Sequence, residues 1–562
     1  MKKIFNSRAL ALILVLAMTL AMFTIGASAT TISAVSIAEG EPVAIDWTQD
    51  GTTYTGTIVN SATLSSTVYS MPSSFTLWTE GEATFEADTG ITVTAIGASA
   101  DETNYSYKVD VSGIASGSTA TLVVTISSGT YTVALPSATP ISAGGTKPTS
   151  VLSYAPLGQF ARGSAWGSIY SNYANVAGST ASDALVKFTT GTGYESTGVS
   201  LGAFGGYIDF YFQGGITNDA KNPYGVDFVI YGNAFNANPE AGAVQVSEDG
   251  ITWYELAGSM YYDGNFNYTG EAGASRISNA YTGTLRNATI SYSQDSVIKA
   301  TVKDASGATK INAAQFVAST AWWPTVAKGY PAIAAHINSN ATSTSNVQVT
   351  CNDTVFSSTG VTLIPDSNTT ADYAFGYADV TPNGSPASYG DAVNPYTPYT
   401  SSKTGGDGFD LEWAVDITTG LPVDVADKTF RYVRVYSAVL DNGTFGETSA
   451  EICGIFTTAN KTTASVGTTA APTTVTVGGT AVTLSKTASG IQTVTIPKNT
   501  ATDVVVTGGS NSHIYINNTY GAGTATNSFT LARNATQIVR VIVQDNSTAQ
   551  PYVGYVMLKG GK

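Results

Sequence analysis

Alternation with a period of two constrains this chain more than any other feature in it. Leu122, Val124 and Ile126 share one side of an extended segment, residues 127–130 supply a polar turn, and Tyr131, Val133 and Leu135 alternate back. That pattern is a hairpin with one buried face. The same grammar returns near the other end, where Ile538 and Ile542 alternate with Val539, Val541 and Val543 before the polar turn 545–547 and an apolar stretch over 552–558. Between them lie aromatic-rich strands over 207–212 and 226–231, then a hairpin over 243–254 whose Asp249-Gly250 pair suits a positive-φ turn. Helical periodicity is nearly absent. The predicted fold class is therefore all-β and multi-domain.

At about 100–200 residues per domain, 562 residues make several cores. The proline- and glycine-containing stretch 137–150 and the Thr/Ala/Ser stretch 457–474 read as linkers. They leave an N-terminal β-sandwich over 30–136, a large central domain over 151–456 and a C-terminal β-sandwich over 475–562. Sustained strand signals in the middle part predict a jelly roll or a pair of packed sheets. Because the two end parts finish alike, they read as copies of one sandwich type.

Residues 1–29 read as a secretory signal peptide. Lys2, Lys3 and Arg8 precede an apolar run that ends in Ala27-Ser28-Ala29. The expectation is a secreted, extracellular or cell-surface protein without membrane insertion of the mature chain. A formal net charge of −15 repels nucleic acid and anionic membranes, and it supplies carboxylates for hard cations such as calcium. Cys351 and Cys453 are read either as a disulfide or as two buried thiols.

Catalytic readings fare poorly. His336 and His513 are the only histidines, and neither a nucleophile elbow nor a zinc-hydrolase motif is present. No catalytic residue is assigned and the chain is not expected to be an enzyme. The one remaining enzymatic reading is a glycosidase-type carboxylate pair, Glu412 with Asp379 or Asp416.

Two motifs carry a resemblance. Residues 246–253, VSEDGITW, and 430–435, FRYVRV, resemble a hairpin and a strand of galactose-binding-like and discoidin-type jelly rolls, although here they lie far apart in sequence. Segments at 228–235, 253–259, 376–379, 405–416 and 446–452 resemble surface proteins of anaerobic bacteria with no settled activity. The end modules resemble cadherin-like or immunoglobulin-like sandwiches. These resemblances imply location and architecture, with the end modules as spacers or contacts.

Two sets of residues are candidates for function. The carboxylates Asp379, Asp407, Asp410 and Asp416 sit in glycine-rich loops, and Asn233, Asn236 and Glu240 add oxygens on another loop. Calcium takes six to eight such ligands. The competing reading is that these residues cap turns by accepting backbone N–H bonds. The aromatic set is Trp322, Trp323, Tyr261, Tyr262, Tyr396 and Tyr399, whose rings suit the apolar faces of sugars, against core packing as the alternative. Trp253, Trp413 and Trp166 are expected in the core. The predicted activity is capture of an extracellular glycan or cell-surface partner in the central domain. A structural stalk or surface-layer role and nutrient capture for uptake are the alternatives.

Overall fold

A computed structural model describes residues 34–155, 199–268, 281–313 and 355–562, with shorter breaks inside each span. The expected signal peptide, most of the 137–150 linker, Trp166, Asn236, Trp322, Trp323, His336 and Cys351 lie outside the described residues. Among the described residues regular structure is strand, relieved only by three-residue 3-10 turns, and no helix is long and apolar enough to cross a membrane. The all-β prediction holds.

Among the described residues the N-terminal module has nine strands: β1 (Val35–Ile37), β2 (Val43–Asp50), β3 (Thr53–Asn60), β4 (Ser74–Glu80), β5 (Thr84–Ala87), β6 (Thr92–Ala98), β7 (Asn104–Asp110), β8 (Thr119–Ile126) and β9 (Gly129–Pro136). They form two sheets, ordered β1-β4-β7-β6 and β2-β3-β9-β8-β5. Phe75, Leu77 and Val109 of the first meet Leu122, Val124, Tyr131 and Val133 of the second in one core. The β8–β9 hairpin follows the alternation read from the sequence. Its turn is shorter than expected, because Ile126 already pairs with Gly129.

In the C-terminal module the strand Thr536–Gln544 pairs antiparallel with Tyr552–Gly560, which pairs in parallel with Thr493–Ile496. The N-terminal module closes in the same way, since β9 pairs antiparallel with β8 and in parallel with β3. The two end modules thus share their closing strand arrangement.

In the central domain a six-stranded sheet runs Ser150–Ala155, Tyr207–Ile216, Phe430–Ser437, Gly242–Ser247, Trp253–Leu256 and Ala414–Asp416. The strands Asp407–Phe409, Phe228–Tyr231 and Gly454–Thr457 form a second sheet. Ile208, Phe210, Val244 and Val435 share one core with Phe228, Ile230 and Phe409. The two motifs far apart in sequence are direct neighbours here, with Ser247 opposite Tyr432 and Gln245 opposite Arg434. Asp249 closes the first of them, its Oδ1 accepting from the N–H groups of Ile251 and Thr252 at 2.8 and 2.7 Å.

The C-terminal sandwich is joined to the central core. Tyr515, Ile538, Ile542, Val553 and Tyr555 belong to the central cluster, whereas Val539, Val541 and Val543 fill the sandwich's own interior. One strand therefore serves two cores, which is why it reads as a nearly continuous apolar run. Arg540, on the same side as Ile538 and Ile542, donates from its guanidinium to the carbonyls of Ala257 and Gly258. The 457–474 segment lies along both parts: Thr458 N–H donates to Asp227 O at 3.0 Å, and Thr469 N–H to Gln550 O at 2.7 Å.

Candidate functional site

The expected carboxylate loops separate into two buried groups and one surface turn. In the first group Glu240, Asp379 and Glu451 converge, with one carboxylate oxygen from each lying within 4.8 Å of the others. Three distant segments bring them together. A bridge between Gly242 and Ala378 (N–H to O 2.9 and 2.8 Å) aligns the first two, and Glu240 N–H donates to Asp379 O at 3.0 Å. Asp379, at φ 60, turns its carboxylate inward, where Oδ1 accepts Asn233 N–H at 2.7 Å and Oδ2 accepts Glu451 N–H at 2.8 Å. Gly232 makes that approach feasible, because a Cβ there would lie 2.1 Å from Asp379 Oδ1.

The electrostatics of this group are repulsive. Burial, then the charge of Glu451, holds the Asp379 carboxyl well above the usual range, only partly offset by its two N–H donors. Glu240 is raised in the same direction by burial and by the charges of Glu451 and Asp379. Asp379 and Glu451 are buried while Glu240 keeps partial access to solvent, so an ion could enter beside it. Burial, with Asp379 and Glu451 adding to it, also pushes up the buried Cys453 thiol.

Of the seven expected ligands, Asp379 and Glu240 form this cluster and Asn233 touches it through its backbone. Asp407 stands beside it but is committed to the N–H groups of Val380 and Thr381, each at 3.0 Å. Burial raises its carboxyl to about 7.

Asp410 and Asp416 do not join, which corrects their assignment to the same metal set. Asp410 caps the turn Leu411–Trp413 by accepting Glu412 N–H at 2.8 Å, and it accepts the Tyr396 hydroxyl at 3.2 Å. It belongs to the second group, where the charges of Glu412 and Asp227 act on it. Asp416 closes a turn by accepting the N–H and hydroxyl of Thr419 at 2.7 and 2.8 Å. The turn-capping alternative describes both. Glu412 thus neighbours Asp227 and Asp410 in place of the partners expected for a glycosidase pair. Glu451, absent from the expected ligand set, carried one signal in the sequence: it lies within the segment 446–452 singled out by resemblance.

The aromatic set also needs correction. Tyr261, Tyr262 and Tyr396 are 2%, 0% and 0% exposed, so their rings are core and present no platform to a ligand. The Tyr262 hydroxyl donates to Gly420 O at 2.8 Å, and its carbonyl accepts from Asn517 and Gln537 of the C-terminal sandwich at 3.2 and 2.7 Å. Tyr399 keeps intermediate exposure. Trp413 is core as expected; Trp253 is only partly buried and stacks on Arg434, whose guanidinium carbon lies 4.4 Å from its ring centroid.

No family model matches the chain, and no curated protein matches it.

Proposed function

We propose that this chain is an exported cell-surface protein of binding or adhesive function, whose central sandwich is shaped by a calcium ion held between Glu240, Asp379 and Glu451. The carrying observation is the convergence of these three carboxylates within 4.8 Å of one another. Carboxylates packed so closely away from water cannot all stay ionised unaided; protons or a cation must compensate them. An all-oxygen set that includes no histidine suits a hard cation, and extracellular calcium modules work at dissociation constants of about 0.1–1 mM. Such an ion would tie together the loops after Phe228–Tyr231, before Gly242–Ser247 and around Asp379. Loops on a rigid sandwich are where ligands are usually held. The ligand class in this reading is an extracellular glycan, with Tyr399, Trp322 and Trp323 as the remaining aromatic candidates.

Thermal unfolding of the mature chain with calcium or with chelator tests the ion. Calcium at ten times its dissociation constant should stabilise by about 1.4 kcal/mol, and Asp379→Asn should abolish the response. If the cluster is held by protons alone, calcium changes nothing and Asp379→Asn folds at least as stably as the parent. That result refutes the ion. A glycan array with and without chelator then tests the ligand, and absence of binding in both conditions refutes the glycan reading.

A further inference from the structure

The N-terminal module carries a surface that the central-domain reading does not use. On the outward face of β4, β7 and β6, strand register places three rows side by side. Asp110 lies opposite Thr92, Lys108 opposite Thr94, and Ser106 opposite both Gly97 and Trp78. The inward residues Phe75, Leu77 and Val109 fill the core, so this array faces away from it. A groove of about 320 Å³ lies over two of these rows, lined by Lys108 and Asp110 beside Thr92 and Thr94 and closed at one end by Ser112, Gly90 and Gly113, with the Trp78–Ser106–Gly97 row flanking it. That volume is at the lower end of the roughly 300–1,000 Å³ of small-ligand sites. The two glycines permit a tight closure: a Cβ on Gly90 would lie 2.7 Å from the Gly113 backbone.

The chemistry of the face is unspent. Lys108 is exposed and forms no ion pair or hydrogen bond among the described residues, and the hydroxyls of Thr92 and Thr94 are exposed beside it. Asp110 uses Oδ1 for Ser112, at 2.9 Å to the N–H and 2.6 Å to the hydroxyl, which leaves Oδ2 to face the groove's contents. Trp78 is partly buried and stacks on no described ring; across Ser106 in the same row the space above Gly97 is open, since a Cβ there would meet nothing within 4 Å.

We propose that this face binds a neutral glycan. Trp78 supplies a ring for the apolar face of a pyranose at the flank of the groove, and Gly97, two strands across, leaves the far end of that row open. Lys108 only donates and Asp110, when ionised, only accepts. Two residues apart on one strand, they stand about 6.6 Å from each other and can donate to and accept from neighbouring sugar hydroxyls, which do both. Their charges cancel, so the face offers uronic or sialic acids no net electrostatic attraction over neutral sugars. This site is independent of the central-domain ion and of any ligand there.

The test is titration of the mature full-length chain with soluble cello-, xylo-, manno- and malto-oligosaccharides, and with oligogalacturonate as the acidic arm, followed by calorimetry. At least one neutral series should bind saturably. Trp78→Ala should weaken it at least tenfold while the module still unfolds cooperatively, and Lys108→Met should weaken it several-fold and keep the parent's thermal midpoint. The acidic arm should bind more weakly than the neutral one. If no neutral series binds, if the acidic one binds best, or if binding survives Trp78→Ala undiminished, the proposal is overturned. Binding that survives Trp78→Ala but is lost with chelator belongs to the central domain and leaves the ion reading standing.

Discussion

Arg540 is the residue whose replacement says most about how this molecule is assembled. It is 1% exposed, donates to the carbonyls of Ala257 and Gly258, and lies 5.3 Å from the Tyr262 ring centroid and 5.2 Å from that of Phe375. All four partners belong to the central domain, whereas Arg540 belongs to the C-terminal sandwich. Hydrogen bonds from a charged donor contribute about 1.5–3 kcal/mol each, and cation–π contacts at desolvated sites add about 1–2 kcal/mol each. Opposing them is a desolvation cost of several kcal/mol for burying the guanidinium. The balance predicts that Arg540→Ala destabilises by about 2–5 kcal/mol, the deleted volume adding to the loss. Arg540→Met, which keeps most of the volume and removes the charge, should cost about half as much. Urea unfolding followed by tryptophan emission and near-ultraviolet circular dichroism measures both. The parent should show one transition for the central domain and C-terminal sandwich together, and Arg540→Ala should separate it into two. A loss under about 0.5 kcal/mol for Arg540→Ala, the range of an ordinary surface substitution, or two transitions already in the parent, would refute the shared-core reasoning.

Other expectations follow from single sites. Burial raises the carboxyls of Glu255, Asp227 and Asp407 to about 7, against ordinary values near 4 in the unfolded chain. Their contribution to stability is complete below about pH 4 and is lost as pH rises to about 7. Thermal midpoints of the parent should therefore fall more steeply across about pH 4–7 than those of Glu255→Gln; equal slopes would contradict this. Tyr436→Phe removes a hydroxyl that donates to Glu255 at 2.8 Å and accepts Val361 N–H at 2.8 Å. It should cost about 1–3 kcal/mol in urea unfolding, and a neutral result would mean that water replaces the hydroxyl. Gly258→Ala places a methyl 2.3 Å from the Tyr377 ring, so its midpoint should drop more than that of any surface alanine substitution. Asp249→Ala removes the acceptor for two turn N–H groups and should cost about 1 kcal/mol, with the hairpin still formed.

Local chemistry determined much of this protein from sequence alone. The β8–β9 hairpin, the Asp249-Gly250 turn and the all-β class were legible because side-chain alternation and turn propensity act over a few residues and have no strong helical competitor here. What covers a face was not legible. Tyr261 and Tyr262 looked like a surface pair, but Tyr262 is core because the C-terminal sandwich lies over it with Asn517, Gln537 and Arg540, and Tyr261 is packed against Tyr262 and the Arg286 guanidinium. The run 538–543 gave a strand but not its two cores, since a sequence shows that both sides are apolar without showing what each side meets. Four aspartates in similar loops also looked equivalent. Packing of distant segments alone made Asp379 a member of a buried cluster with Glu240 and Glu451 and left Asp410 and Asp416 as caps, because convergence of charge depends on three-dimensional distance, which one-dimensional spacing does not encode.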